Sequence, residues 1–280
     1  MSARSSVATS SVADHYDRLD SFYRQLWGEH LHHGLWACSS FSPEEAVRHL
    51  VHRVAADAGM EAGTRVCDVG CGYGAPARLW SEEYGAEVTG FTVSEAQYRY
   101  AQRQPVDGRT PEYRLQDFLT NECPDASVDA VVGIESLTHI RDPVEVFEEA
   151  ARLLRPQGRL VLCVWMSAPT APEWARKWLL DPICEEGRLW GLPTATELHQ
   201  WAAQAGLAVR RLDDVTAQVR RTWTVVLRRF FHALCTDPAV LRTLLDSSVP
   251  DRVFARTVLR IWGAQHVGSL RYGWLVAEPR

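Results

Sequence analysis

The chain has 280 residues, of which 46% are hydrophobic and 23% charged, and its formal net charge is -5 at pH 7. That length can bury a substantial core in one domain with a lid, or in two small domains. The mild acidity gives no general attraction to nucleic acid or anionic membrane, and no apolar stretch approaches the roughly 20 residues of a bilayer span, which leaves small-molecule chemistry. Seven cysteines, an odd number without a CxxC pair, predict reduced thiols in a cytoplasmic protein rather than a disulfide framework. Residues 1–11 are Ser-rich, lack the apolar centre of a secretory signal and read as a disordered tail.

Ser42-Pro43-Glu44-Glu45 joins an N-cap, a helix-opening proline and a capping-box acid. Apolar Ala46, Val47, Leu50, Val51 and Val54 then recur at helical spacing until Gly59 stops them. A first strand at 66–69 runs into Gly70, Gly72 and Gly74, and a helix near 75–84 follows. A strand at 87–91, a helix at 94–102, a short strand at 112–115 and a fourth strand at 128–134 come next. The run 144–154 puts Val146, Ala150, Leu153 and Leu154 on one face, predicting a helix that stops at Pro156 and Gly158 before a fifth strand at 159–165. Two further strands, near 207–212 and 270–277, complete a Rossmann-like, seven-stranded, doubly wound α/β sheet with C-terminal helical insertions. In such a sheet ligands sit at the carboxyl ends of the strands, so Asp68, Thr92, Asp117 and Glu135 should converge on one crevice.

The most informative stretch is Val66-Cys67-Asp68-Val69-Gly70-Cys71-Gly72-Tyr73-Gly74. Its glycines let the backbone approach a ligand closely, at the opening of a helix whose N–H groups favour an anion such as a cofactor carboxylate. The spacing Gly70-x-Gly72-x-x-Ala75 also satisfies the dinucleotide fingerprint, so the glycines alone do not choose the cofactor. A dinucleotide site needs an acid about 20 residues further on for the ribose, and here the second strand ends in Thr92. Asp68, at the strand's end, can accept from a cationic α-amine, a group NAD lacks and S-adenosylmethionine carries. The reading favours that methyl donor.

These residues resemble the class I S-adenosylmethionine-dependent methyltransferases, in the branch of tocopherol methyltransferases, plant alkaloid N-methyltransferases and cyclopropane fatty acid synthases. The resemblance covers most of residues 15–165. Gly90-Phe91-Thr92-Val93-Ser94-Glu95-Ala96-Gln97 looks like the branch's substitute for the ribose-binding acid, which implies that Thr92, Val93 and Gln97 hold the ribose. His15-Tyr16-Asp17 through Phe22-Tyr23, and Trp27 through Trp36, resemble a cap that closes over cofactor and substrate. This implies that Tyr16 and Tyr23 order over the site and that His33 and Gly34 meet the cofactor carboxylate. Ile134-Glu135-Ser136-Leu137-Thr138-His139 resembles the segment after strand four, but the cyclopropane synthases' glutamate falls at Thr138. The domain division implied is a tail at 1–11, an N-terminal helical cap at 12–58, a cofactor-binding core at 59–166, and the remaining strands with a helical substrate lid at 167–280.

Each candidate also has a purely structural role open to it. Asp117 either accepts from an adenine amine, with Phe118 stacking on the ring, or caps the next turn. His30, His32 and His33 form a tight cluster without a matching carboxylate or cysteine set, so no metal is expected. His139 is either a core histidine or a base suited to neutral pH, with Glu135 orienting it or polarising an acceptor hydroxyl. The 11 tryptophans either fill the core or ring an aromatic acceptor site, for which Tyr23, Trp36, Trp165 and Trp190 are the expected lining. The expected activity is C- or O-methylation of a small hydrophobic or aromatic natural product, by a monomer or homodimer. A cyclase or isomerase that keeps its methyl group, or a non-catalytic cofactor-binding protein, is the competing reading.

Overall fold

A computed structural model describes residues 12–14, 16–17, 28–236 and 252–280; the tail predicted at 1–11, and Tyr23, lie outside them. In chain order the main elements are α1 (Pro43–Ala58), β1 (Arg65–Val69), α2 (Ala75–Tyr84), β2 (Glu87–Thr92), α3 (Glu95–Arg103), β3 (Glu112–Leu115), β4 (Val128–Ile134) and α4 (Pro143–Leu153). They continue with β5 (Leu154–Ser167), α5 (Asp181–Glu186), α6 (Ala195–Gln204), β6 (Leu207–Asp214), α7 (Arg221–Thr236), α8 (Arg252–His266) and β7 (Leu270–Pro279). Among the described residues no helix is long and apolar enough to cross a membrane.

The seven strands lie in the order β3-β2-β1-β4-β5-β7-β6. β7 runs antiparallel to both its neighbours, and the other pairings are parallel. The winding reverses between β1 and β4, so the carboxyl ends of those strands flank the crevice where such sheets bind ligands. β5 is longer than predicted because Leu154 already pairs with Val128. An irregularity around Pro156 and Gly158 then shifts the register so that Arg159 faces Ala130.

Both faces of the sheet are covered at its centre, which is why β1 and β4 are buried along most of their length, whereas the edge strands β3 and β6 carry charged residues. One face holds Leu50, Val54, Trp80 and Trp274, and the other Phe147, Leu153, Leu160 and Leu198. Helix α1 begins as its sequence requires: Ser42 Oγ accepts from the Glu45 N–H, the Glu45 carboxylate accepts from the Ser42 N–H, and Gly59 closes the helix at φ 67°. Its stripe packs on β4 and β5, and its Val51 carbonyl accepts from Trp80 Nε1 at 3.1 Å. This helix is therefore a core layer, and the cap predicted to extend through residue 58 ends before it. A third cluster, including Ile183, Trp223, Val226, Val258 and Ile261, packs α5, α7 and α8 together within the segment expected to form a lid. Of the tryptophans, Trp80, Trp223 and Trp274 are buried, whereas Trp174, Trp178 and Trp190 are exposed.

Candidate active site

The turn after β1 is built around positive backbone dihedrals, φ 74° at Gly70 and 55° at Gly72. A Cβ on Gly70 would lie 2.5 Å from Ser136 Cβ, so that glycine lets the turn after β4 pack against it. A Cβ on Gly72 would meet no protein atom within 4 Å; this glycine faces a cavity. Asp68 is 2% exposed, its Oδ2 has no partner among the described residues, and burial pushes its carboxyl up to about 7. It does not line the cavity; it sits beneath the turn. A buried acceptor without a donor, beside an open glycine backbone, fits the ammonium and carboxylate of the expected cofactor's amino-acid end.

The burial of Asp68 makes the stability of the ligand-free protein depend on pH. Its raised value means that its contribution to stability is fully present below its unfolded pKa, near 3.8, and is lost as pH rises towards 7. Asp68→Asn is therefore expected to stabilise the ligand-free protein by on the order of 2–4 kcal/mol at neutral pH while removing cofactor binding. In the wild type, cofactor affinity should rise as pH increases through about 7, with proton release on binding. Calorimetry in buffers of different ionisation enthalpy measures that proton. A flat affinity across this range would place the amine elsewhere.

The cavity has a volume of about 560 Å³, within the ~300–1,000 Å³ of small-molecule sites. Gly70, Gly72, Thr92, Val93, Gln97, Asp117 and Phe118, all predicted cofactor contacts, line it. Thr92 is buried; its hydroxyl donates to Gln97 Oε1 at 2.9 Å and accepts from the Ser94 N–H at 3.2 Å. Asp117 lines the cavity and caps the next turn, its Oδ1 accepting from the Leu119 N–H at 3.0 Å. Phe118 sets its ring edge-on to Phe91, 5.8 Å between centroids. Thr92→Ala is expected to weaken cofactor binding by about 0.5–1.5 kcal/mol, the value of one neutral hydrogen bond. NAD should not bind; an NAD affinity matching that for S-adenosylmethionine would overturn the ribose assignment.

The N-terminal segment closes the cavity, with Val12, Tyr16 and Leu31 in its wall. Asp17 Oδ1 accepts from Ser94 Oγ at 2.5 Å and from the Ala96 N–H at 3.1 Å, which fixes the segment to the start of α3. Glu29 accepts from Tyr100 at 2.8 Å and pairs with the buried Arg78 of α2. Tyr16 donates from its hydroxyl to His139 Nε2 at 2.9 Å, and both residues face the cavity. The other ring nitrogen, Nδ1, is left to donate to the Arg188 carbonyl at 3.4 Å. Burial lowers His139 to about 4, so the ring is neutral at physiological pH.

Several expectations need correction. Glu135 lines the cavity but does not orient His139 by contact: its carboxylate accepts from His33, Trp165 and Tyr272. His33 is 2% exposed and buried behind Glu135, outside the cavity lining. Gly34 is a glycine for packing, since a Cβ there would sit 2.7 Å from Ala46 Cβ of α1. Trp36 lies away from the cavity, its indole donating to Thr222 Oγ1 at 3.0 Å with the Arg221 guanidinium over its ring. Trp165 turns its indole N–H to Glu135 and is absent from the lining, whereas Trp190 is part of it.

The histidine cluster is a hydrogen-bonded chain. His32 Nδ1 donates to the His33 carbonyl at 2.8 Å, leaving His32 Nε2 to accept from His30 Nδ1 at 3.1 Å. Burial, then His32 and the Arg78 and Arg48 charges, press His30 down to about 2, and burial also lowers His32. Among the described residues no group of three or more His, Cys, Asp or Glu side chains is placed to hold a metal. Sequence reasoning missed Ile140 and Arg141, which line the cavity; the Arg141 guanidinium lies 5.3 Å from the Trp190 ring centroid. No motif marked them.

Residues 41–212 match a family described as a methyltransferase domain. The 27-O-demethylrifamycin SV methyltransferase of Amycolatopsis mediterranei (strain S699) is 34% identical over 271 residues, covering 86% of this chain and 98% of the relative. Methyltransferase GfsG of Streptomyces halstedii is 32% identical over 225 residues, covering 78% and 80% of the two chains. In fold, the cyclopropane synthase MmaA2 from Mycobacterium tuberculosis matches with a TM-score of 0.84 at 20% identity, over 96% of this chain and 98% of that one. The family match spans the glycine turn, the Thr92 strand end and the Glu135–His139 segment, and with those features this chain belongs to the class I S-adenosylmethionine-dependent methyltransferases.

Proposed function

We propose that this enzyme methylates a small, largely hydrophobic or aromatic natural product at a hydroxyl or an acidic carbon. The Tyr16–His139 pair carries this reading: a neutral imidazole and a phenol face one apolar cavity beside the glycine turn. An acceptor that loses a proton needs such a pair. The Amycolatopsis relative is named for an O-demethylated rifamycin, which supports a hydroxyl acceptor here. The net charge of -5 supports a small molecule over nucleic acid, and reduced thiols support a cytoplasmic setting.

In this reading Asp68 and the backbone at Gly70 and Gly72 hold the cofactor's amino-acid end, Thr92 with Gln97 the ribose, and Asp117 with Phe118 the adenine. When bound, the cofactor supplies an electrophilic methyl group on a sulfonium. Trp190, Arg141 and Leu31 wall the acceptor's side, and the N-terminal segment excludes water. Alignment is the largest contribution, with proximity worth roughly 7–11 kcal/mol. The acceptor's proton passes to the Tyr16 hydroxyl as Tyr16 delivers its own to His139 Nε2, leaving the charge on the imidazole. Methyl-labelled cofactor, offered with a panel of hydroxylated aromatic and polyketide acceptors, tests the reading. Labelled ether or C-methyl product with equimolar S-adenosylhomocysteine is expected. Label passing only to amines would overturn it, and acceptor conversion without S-adenosylhomocysteine release would favour a cyclase or isomerase.

A further inference from the structure

Glu135 occupies an unusual place for a cavity residue. Its φ is 59°, a left-handed backbone that costs a side-chain-bearing residue about 1 kcal/mol or more. Four donors converge on its carboxylate. Oε1 accepts from the His33 N–H at 2.7 Å, from His33 Nδ1 at 2.9 Å and from the Tyr272 hydroxyl at 2.8 Å; Oε2 accepts from Trp165 Nε1 at 2.9 Å. Burial would raise this carboxyl, and the hydrogen bonds from the His33 ring and backbone pull it the other way, below the usual carboxylate range. A carboxylate so held is a poor proton acceptor, because taking a proton would cost it bonds it already makes.

His33 links that carboxylate to the rest of the molecule. Trp223 Nε1, a donor only, gives its hydrogen to His33 Nε2 at 2.6 Å, so Nδ1 carries the proton that Glu135 accepts. Trp165, Trp223 and Tyr272 enclose the ring with centroids 4.9–5.6 Å away. On the same segment the Gly34 N–H donates to Thr222 Oγ1 at 3.0 Å, the Leu35 N–H to the Ala46 carbonyl at 2.8 Å and the Trp36 N–H to the Gln218 carbonyl at 2.9 Å. The end of β4, β5, β7, lid helix α7 and the N-terminal segment thus meet at one buried ion-and-hydrogen-bond node.

We propose that the Glu135–His33 pair is a latch fastening residues 28–36 and the lid over the reaction cavity, which makes Glu135 a positioning residue for methyl transfer. The proposal rests on the cavity being the reaction site. Removing the charge leaves buried donors at His33, Trp165 and Tyr272 underpaired, and each such donor costs about 1–3 kcal/mol. That loss falls on the node, because the sheet and the lid keep their own apolar cores.

Backbone amide exchange of the full chain, with and without S-adenosylhomocysteine, tests this on Glu135→Gln. Exchange at residues 28–36 should accelerate at least about tenfold while that of β1 is unchanged, and affinity for S-adenosylhomocysteine should weaken about tenfold. Turnover should fall in kcat more than in the acceptor's KM. Lost turnover with unchanged exchange at 28–36 would instead put Glu135 on the reacting atoms, and unchanged exchange with full turnover would reduce the node to packing; either overturns the latch. If Glu135→Gln does not fold, Trp165→Phe and Tyr272→Phe each strip one donor and leave the carboxylate, and failure of both to accelerate exchange at 28–36 refutes the proposal. Exchange and product binding need no acceptor, so a wrong acceptor class leaves these results standing.

Discussion

Replacing His139 with alanine is expected to lower turnover about a hundredfold while cofactor affinity stays nearly intact. Its ring is the neutral imidazole facing the cavity, and its Nε2 already accepts a proton-bearing group, the Tyr16 hydroxyl. General bases contribute roughly 10²–10⁴-fold, and the strength of a base falls with its pKa. Because burial holds His139 at about 4, its effect should lie at the lower end of that range. The same value fixes the pH dependence. A group with its folded pKa lowered stays in the basic form down to that value, so wild-type turnover at saturating cofactor should be level through neutral pH and fall only as pH drops towards 4. The alanine variant should lose that acid limb, and Tyr16→Phe should cost less, about tenfold, since the imidazole remains. Steady-state rates across pH, with cofactor binding measured separately, check all three. Near-normal turnover of His139→Ala at every pH would remove it from the chemistry, and a loss confined to cofactor binding would make it part of the cofactor pocket.

The elements legible in the sequence are those whose cause is local. Ser42 and Glu45 form their box whatever surrounds them, and Gly70 and Gly72 carry in their type the positive φ that the turn needs. Features set by distant partners were not legible. The apolar stripe of α1 says that the helix is buried without saying against what, so it read as cap rather than as a core layer. β5 begins at Leu154 because Val128 is there to pair with it, an event no window around Pro156 records.

The site divides in the same way. Thr92, Gln97, Asp117 and Phe118 lie at or just beyond strand ends, and strand order alone brings them to one cavity. Glu135 and His139 are four residues apart after a strand, a spacing that does not by itself fix contact between them. The left-handed turn at Glu135 separates their partners: the carboxylate meets His33, Trp165 and Tyr272, and the imidazole meets Tyr16. The contact of His33 with the cofactor carboxylate is implied only by the resemblance of Trp27–Trp36 to the branch's cap. The burial of His33 depends on Trp223 of α7 and Tyr272 of β7, residues far from it in sequence that only the tertiary fold brings to it.

Gly72→Val should abolish cofactor binding, by at least about a hundredfold in affinity, in a protein that still folds. The two parts rest on separate observations. A Cβ at this position points into open space, so no described residue clashes with it, and the cost to stability is the backbone strain of φ 55°. For a side-chain-bearing residue that strain is roughly 1–2 kcal/mol, somewhat more for a β-branched one, and a domain of this size tolerates it. The open space is the part of the cavity beside Gly70 and the turn, where the ligand meets bare backbone, so the isopropyl group occupies the ligand's own volume. Gly72→Ala introduces the same strain with a single methyl group and should fall between, at about tenfold weaker binding. Calorimetry with S-adenosylhomocysteine gives the affinities, and thermal unfolding of the ligand-free variants gives the strain. Equal melting temperatures for the two variants with graded affinities would locate the effect in the cavity, whereas unchanged affinity in folded Gly72→Val would mean that the cofactor does not lie against this turn.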